Sequence, residues 1–277
     1  MQLNKYNFLL WYDSASTTAL PEVPIAYLWD REACASIPIG LPTEGMAWYM
    51  NIPEGLDVSV YNNFSDYKLR LVRADNGQVV HNDLGPLQQH FIDSPTNAFY
   101  NIYCTLVVPP AAKFGLHYFQ IYDSSNSDVL FTSSYIIVRP DQETLYNTTT
   151  FCRFRHDRVF YYIKYADLPG FYQQFRLGIS ILERQYEGDK EVYREVTTGK
   201  QRTLQNYLGR WVRLETYYFD RSAHEAAAVM FDHDYVELNG TQYIAKNAYK
   251  EPSNPKQKFG KGEIEVWDQE FSTVNRC

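Results

Sequence analysis

Apolar and polar residues alternate in short runs along most of this chain, with the two-residue period of half-buried strands rather than the 3.6-residue period of helices. The most legible stretch is 175–245. An apolar strand, FRLGISILER (Phe175–Arg184), leads into QYEGDK, whose charges and glycine read as an acidic turn. EVYREV (Glu191–Val196) and QRTLQN (Gln201–Asn206) read as strands around a turn at Thr197-Thr198-Gly199-Lys200, and WVRLETYYF (Trp211–Phe219) as another. SAHEAAAVMFD is expected to be a helix over about 222–232. Ser222 stands three residues before Glu225, the capping-box spacing, and Asp220 is the alternative N-cap. Ala226-Ala227-Ala228 combine high helix propensity with small volume, which suits close packing on a sheet. YVEL and TQYIA flank Asn239-Gly240, the pair that best tolerates the two positive φ angles of a type I′ turn, and predict a hairpin.

Upstream, strands are expected at Tyr6–Tyr12 and Met46–Met50, joined by an irregular segment rich in proline and glycine. From Gly55 the runs become regular. DVSVYNN reads as a strand, and KLRLVRA meets QVVHND across Asp75-Asn76-Gly77 as a second hairpin. FYNIYCTLVV follows, then LHYFQIYD and VLFTSSYIIV around a polar SSNSD turn, with Tyr118 after Gly115 as a candidate tyrosine corner. The fold class is therefore expected to be mainly β: an Ig-like β-sandwich followed by a second β-rich domain carrying one short α-helix. Residues 1–50 would join the first unit or make an assembly contact, 51–140 form the sandwich, 141–150 a linker around Arg139-Pro140-Asp141, and 151–277 the second domain. That domain would open on CRFRHD, a half-exposed strand carrying Arg153 and Arg155, and close on the strand EIEVWD.

Composition adds one unusual feature. The 277 residues include 24 tyrosines and are 16% aromatic, which fits pleated half-buried surfaces and protein–protein interfaces. Sugars also stack on aromatic rings, so a glycan-binding role stays open. A formal net charge of −7 gives the whole chain no electrostatic footprint for nucleic acid. Apolar runs are all too short to cross a bilayer, so no membrane insertion is expected, and Phe8-Leu9-Leu10-Trp11 is shorter than the apolar region of a secretion signal. Cys34, Cys104, Cys152 and Cys277 are widely spaced and read as small buried hydrophobes in a reducing compartment. The N-x-S/T matches at Asn63, Asn147 and Asn239 carry little weight without such a signal.

Two constellations invite a chemical reading. Asp232-His233-Asp234, with His224 upstream, is a dense group of possible metal ligands, but adjacent residues at a helix end point apart and the histidines are nine residues apart. A helix C-terminus explains them more simply: His233 favours the macrodipole there, although Asp232 and Asp234 do not. Glu183, Glu187, Asp189 and Glu191 beside Tyr186 and Tyr193 would be the carboxylates of a glycoside hydrolase or lyase, yet that chemistry needs a fixed separation across a cleft. No nucleophile-elbow, zinc-protease, phosphate-loop or dinucleotide motif stands in a credible context. The expectation is no catalytic residue, no metal and no cofactor.

The segment Phe175–Ala245, continued to Trp267, resembles a module of structural proteins of tailed phages of Bacteroidota, including crAss-like phages. The resemblance is carried by FRLGISILERQYEGDKEVYREVTTGKQRTL, by WVRLETYYFD with its alanine-rich helix, and by HDYVELNGTQYIAKNAY. It implies a non-enzymatic virion component, made in the host bacterial cytoplasm and repeated in the tail, tail ring or head-to-tail connection. Its partners would be copies of itself and other virion proteins. The candidate assembly contacts are Tyr27, Leu28 and Trp29, in a segment with too little regular pattern to bury them, and Lys256, Lys258 and Lys261 in the basic Glu251–Gly262 loop.

Overall fold

The computed structural model describes residues 2–3, 8–13, 46–52, 67–83, 88–92, 99–106, 115–138, 147, 149–160, 163–252 and 259–276. Its strands in the first half are β1 (Gln2–Leu3), β2 (Trp11–Asp13), β3 (Met46–Ile52), β4 (Tyr67–Arg73), β5 (Val79–His81), β6 (Gln88–Ile92), β7 (Phe99–Leu106), β8 (Gly115–Asp123), β9 (Val129–Ser133) and β10 (Ile136–Val138). The second half contributes β11 (Thr150–Arg155), β12 (Val159–Phe160), β13 (Ile163–Lys164), β14 (Gln173–Leu177), β15 (Ile179–Arg194), β16 (Gln201–Phe219), β17 (Tyr235–Leu238), β18 (Thr241–Ala245) and β19 (Gly260–Arg276). The helix α1 (Arg221–Phe231) lies between β16 and β17. The protein is mainly β with a short helix, as the alternation predicts.

Two large antiparallel sheets account for most of this. One has seven strands, ordered β1-β2-β9-β8-β4-β5 with β10 also on β8; the other has ten, ordered β15-β16-β19-β18-β17-β11-β14-β3-β7-β6. Hydrogen bonding crosses the expected boundary near 141–150. Strand β3 pairs with β14 at Gln174 and Ala47, and carries β7 and β6 with it into the ten-stranded sheet. FYNIYCTLVV, expected within the sandwich of the first half, is thus part of the sheet built mainly by the second. Residues 141–146 and 148 of the expected linker, DVSVYNN and the 14–45 segment lie outside the described residues.

The core sits between the sheets and is filled from both. Leu69, Phe119 and Phe131 meet Phe175, Val212 and Phe219 in one buried cluster, with Ala226 and Ala227 of α1 against it. The N-terminal segment closes the cluster: the Phe8 ring lies 5.6 Å from that of Phe175 and 6.3 Å from that of Phe219. Each such ring buries enough area to contribute roughly 1.5–3 kcal/mol. Phe8 and Leu9 are in a bend rather than in the strand expected over Tyr6–Tyr12, which begins only at Trp11. Burial, with the Asp220 carboxylate nearby, pushes the Tyr12 phenol up to about 12.

The turn chemistry is largely as read. Asn239 and Gly240 have φ of 49° and 87°, and Val236 faces Tyr243 across their hairpin. Gly77 (φ 68°) closes β4 onto β5, and the 124–128 turn joins β8 to β9. The helix starts on the alternative cap. Asp220, not Ser222, accepts the Ala223 amide at 2.8 Å, and Glu225 pairs with Arg221 instead of reaching back in a capping box. Tyr118 packs edge-on against Tyr135, ring centroids 6.0 Å apart.

Candidate functional site

The largest departure from expectation is an arm. QYEGDK is not a turn: Ile179–Arg194 is one unbroken strand, paired along its length with the 19-residue β16. The glycine that signalled a turn serves a close approach, since a Cβ on Gly188 would lie 2.9 Å from the Tyr207 carbonyl oxygen. β19 is also longer than EIEVWD. It follows β16 outward as far as the pairing of Arg276 with Gln205, after a bulge between Trp267 and Ser272. Leu182–Arg194 are all exposed. At about 3.3 Å per residue, the ribbon from Gln185 to the tip at Val196 runs roughly 35 Å beyond the core.

The tip is tied to itself. The Glu195 amide donates to the Lys200 carbonyl and the Gly199 amide to the Glu195 carbonyl, with Gly199 at φ 68°. Arg194 Nε donates to the Gly199 carbonyl at 3.1 Å, Thr198 donates to the Glu195 carboxylate, and Arg202 pairs with that carboxylate at 3.4 Å. Val196, at the apex, is 100% exposed, and Tyr186, Val192 and Tyr193 are also exposed large apolar side chains.

Strand alternation and observed contacts divide the arm into two faces. On one, Glu187 pairs with Lys246, whose ammonium lies 4.2 Å from the Trp211 ring and 4.8 Å from that of Trp267. On the other, Tyr186 packs on Phe271 with centroids 5.5 Å apart, and the Arg210 guanidinium lies over the same ring while Nε donates to buried Asp268 at 2.9 Å. That hydrogen bond raises the Arg210 pKa. Because Lys246 covers both indoles, Trp211 and Trp267 do not form the open stacking platform that a glycan-binding face would use.

The two histidines singled out as possible ligands are buried in separate hydrogen-bonded networks. His233 Nδ1 donates to the Val229 carbonyl (2.7 Å), its Nε2 accepts from the Tyr165 hydroxyl (3.0 Å), and Gln173 donates to the same hydroxyl (2.8 Å). His224 Nε2 donates to the Gly260 carbonyl (3.1 Å), and Nδ1 accepts from the Tyr249 hydroxyl (2.6 Å). Both roles require neutral rings. Burial lowers both pKa values, that of His233 to about 4. Among the described residues no group of histidine, cysteine and carboxylate side chains could hold a metal ion. Cys152 is a buried free thiol whose pKa burial pushes up.

Glu183, Glu187, Asp189 and Glu191 lie on the exposed arm, away from the open groove lined by Val229, Phe231, Ala245, Tyr249 and Ile264. CRFRHD is half-exposed as read. The Arg153 guanidinium is spent within the chain, 3.4 Å from Glu237 and 4.5 Å from the Tyr172 ring centroid. Lys261 is exposed and pairs with Glu215 at 2.9 Å. Tyr27, Leu28, Trp29, Lys256 and Lys258 lie outside the described residues. Sequence reasoning missed the arm as a unit; the signal was the charge alternation of 184–194, in which residues of one parity are basic or apolar and those of the other mainly acidic.

Comparison with known proteins gives a plain result. No family model, curated protein or solved structure matches the chain. No helix among the described residues is long and apolar enough to cross a membrane.

Proposed function

We propose that this chain is a non-enzymatic structural protein of a tailed phage, a repeated subunit of the tail, tail ring or head-to-tail connection, touching copies of itself and other virion proteins. The observation that carries the reading is the arm. A monomer gains little from holding a three-stranded ribbon away from its core with Tyr186, Val192, Tyr193 and Val196 in water. A subunit of an assembly gains an interface from the same residues, because aromatic and apolar groups freed of water dominate interface energetics. The phage assignment itself rests on the resemblance of the segment that builds the arm, the helix and the following hairpin.

The test is the protein content of particles made by the genome that encodes this chain. Mass spectrometry of purified virions should recover it in several copies per particle. Its confinement to the unassembled fraction would contradict the proposal.

A further inference from the structure

The arm carries a second pattern, visible once Ile179–Arg194 is known to be one strand. Glu187 and Tyr186 mark opposite faces by their contacts with Lys246 and Phe271. Alternation then places Asp189 and Glu191 with Glu187, and Arg184, Lys190 and Arg194 with Tyr186. Two further observations place Arg184 on the second face. Arg184 is paired with Val212, which is fully buried on the inner side of the sheet, and its charge acts on the buried Tyr243 phenol. Along β15 one face of the ribbon is therefore acidic and the other basic; on β16, Arg202 stands opposite Tyr193 on the acidic face and balances Glu195 at the tip. Asp189, Glu191, Arg184 and Lys190 have no ion-pair partner among the described residues, while Glu187, Arg210 and Glu195 are paired within the chain.

From this two-faced pattern we infer that the arms of neighbouring copies stack face to face, the acidic face of one against the basic face of the next, making the self-contact head-to-tail. The inference rests on the repeated-subunit reading and specifies its geometry. Stacked sheets lie about 10 Å apart, within the screening length at low ionic strength, so facing rows of opposite charge attract and like rows repel. A two-fold contact would oppose each face to its own copy, Asp189 and Glu191 against Asp189 and Glu191, or Lys190 against Lys190. The charge pattern disfavours that arrangement and favours a heterologous one, which closes into a ring when the rotation allows. Tyr186 and Val192 on the basic face and Tyr193 on the acidic face supply apolar contact between the charges. A ribbon face roughly 35 Å long and three strands wide offers about 500 Å² per partner, under the roughly 800 Å² of a stable specific interface. Single contacts are accordingly weak, and association is concentration-dependent and salt-sensitive until a ring closes.

Paired charge reversals in the full-length chain test this by sedimentation velocity at low and high salt. Arg194 is spared because it ties the tip. Asp189→Lys with Glu191→Lys makes both faces basic; Arg184→Glu with Lys190→Glu makes both acidic. The wild-type chain should form oligomers at low salt that dissociate at high salt. Each double variant should lose self-association while keeping the wild-type circular dichroism, and an equimolar mixture of the two should regain it. Oligomers in either variant alone at wild-type strength, or no recovery on mixing, would overturn the arm contact while leaving a repeated subunit intact. A wild-type chain that stays monomeric at low salt would overturn both.

Discussion

Replacing Gly262 by alanine is expected to destabilise the protein by about 1–3 kcal/mol, the usual cost of overpacking a filled site. A Cβ at this position would overlap the Tyr249 hydroxyl and come within 3.0 Å of His224 Nδ1. The hydroxyl cannot simply withdraw. It donates to His224 Nδ1 at 2.6 Å and lies 3.5 Å from Thr216 Oγ1, which in turn accepts the Gly262 amide at 2.7 Å. The network joins the first turn of α1 to the start of β19 and to β16, so a shift in one propagates to the others. Tyr249→Phe in the alanine background removes the overlapping oxygen and should recover part of the loss. In an otherwise unchanged chain the same substitution should be harmful, because it leaves His224 Nδ1 buried without a donor. Urea midpoints of the two single variants and the double variant would show the non-additivity of groups in contact. Additive effects would mean that Tyr249 is not what the alanine meets.

Acid should weaken the fold through His233. Its folded pKa, about 4, is below the ordinary 6.5 because burial opposes the charged ring. The groups around it leave no acceptor for a second ring proton: Val229 and Tyr165 already fill both nitrogens, and the Phe154 and Phe160 rings lie at 4.9 and 4.5 Å. His156 on the facing side opposes protonation, whereas the Asp234 carboxylate favours it. The sign follows from proton uptake. Between pH 6.5 and 4 the unfolded chain binds a proton that the folded chain does not, so stability is complete above 6.5 and falls as pH drops through that window. The loss approaches about 3 kcal/mol near pH 4, and His224, shifted downward for the same reason, adds to it. Urea midpoints measured from pH 7.5 to 4 should slope accordingly, and the slope should flatten in His233→Gln. Histidine ring NMR on the unaltered chain should show His233 neutral well below pH 6. An ordinary titration near 6.5 would contradict the account.

Turns and the helix were legible because their signals are local. Asn239-Gly240 and the Gly77 of Asp75-Asn76-Gly77 tolerate the positive φ their turns require, and Asp220 caps a helix from the residue before it. Ser222 offered a competing cap of the same chemistry, and only the fold chose between them. The arm was not legible because its cause is distant. QYEGDK resembles a turn by composition, but its glycine is set by the Tyr207 carbonyl on another strand, and its charges reflect two faces in water rather than a loop. Sheet membership was hidden for the same reason: nothing in Met46–Ile52 announces pairing with a strand more than a hundred residues later. Of the candidate site, the carboxylates Glu187, Asp189 and Glu191 could be picked out in the sequence. Their meaning could not, since an acidic turn and an acidic face differ only in whether the strand continues.

The most direct measurement replaces residues 190–206 by an Asn-Gly turn joining Asp189 to Tyr207, which face each other across the arm, and compares particle masses with those of the full-length chain at low salt. The shortened chain loses the tip, Lys190 and Glu191, but none of the buried core cluster, so its circular dichroism and unfolding midpoint should stay close to those of the parent. Mass photometry should find oligomers of the full-length chain and monomers of the shortened one. Oligomers that persist without the distal arm, or a full-length chain that is monomeric throughout, would contradict the claim that this protein assembles through its arm.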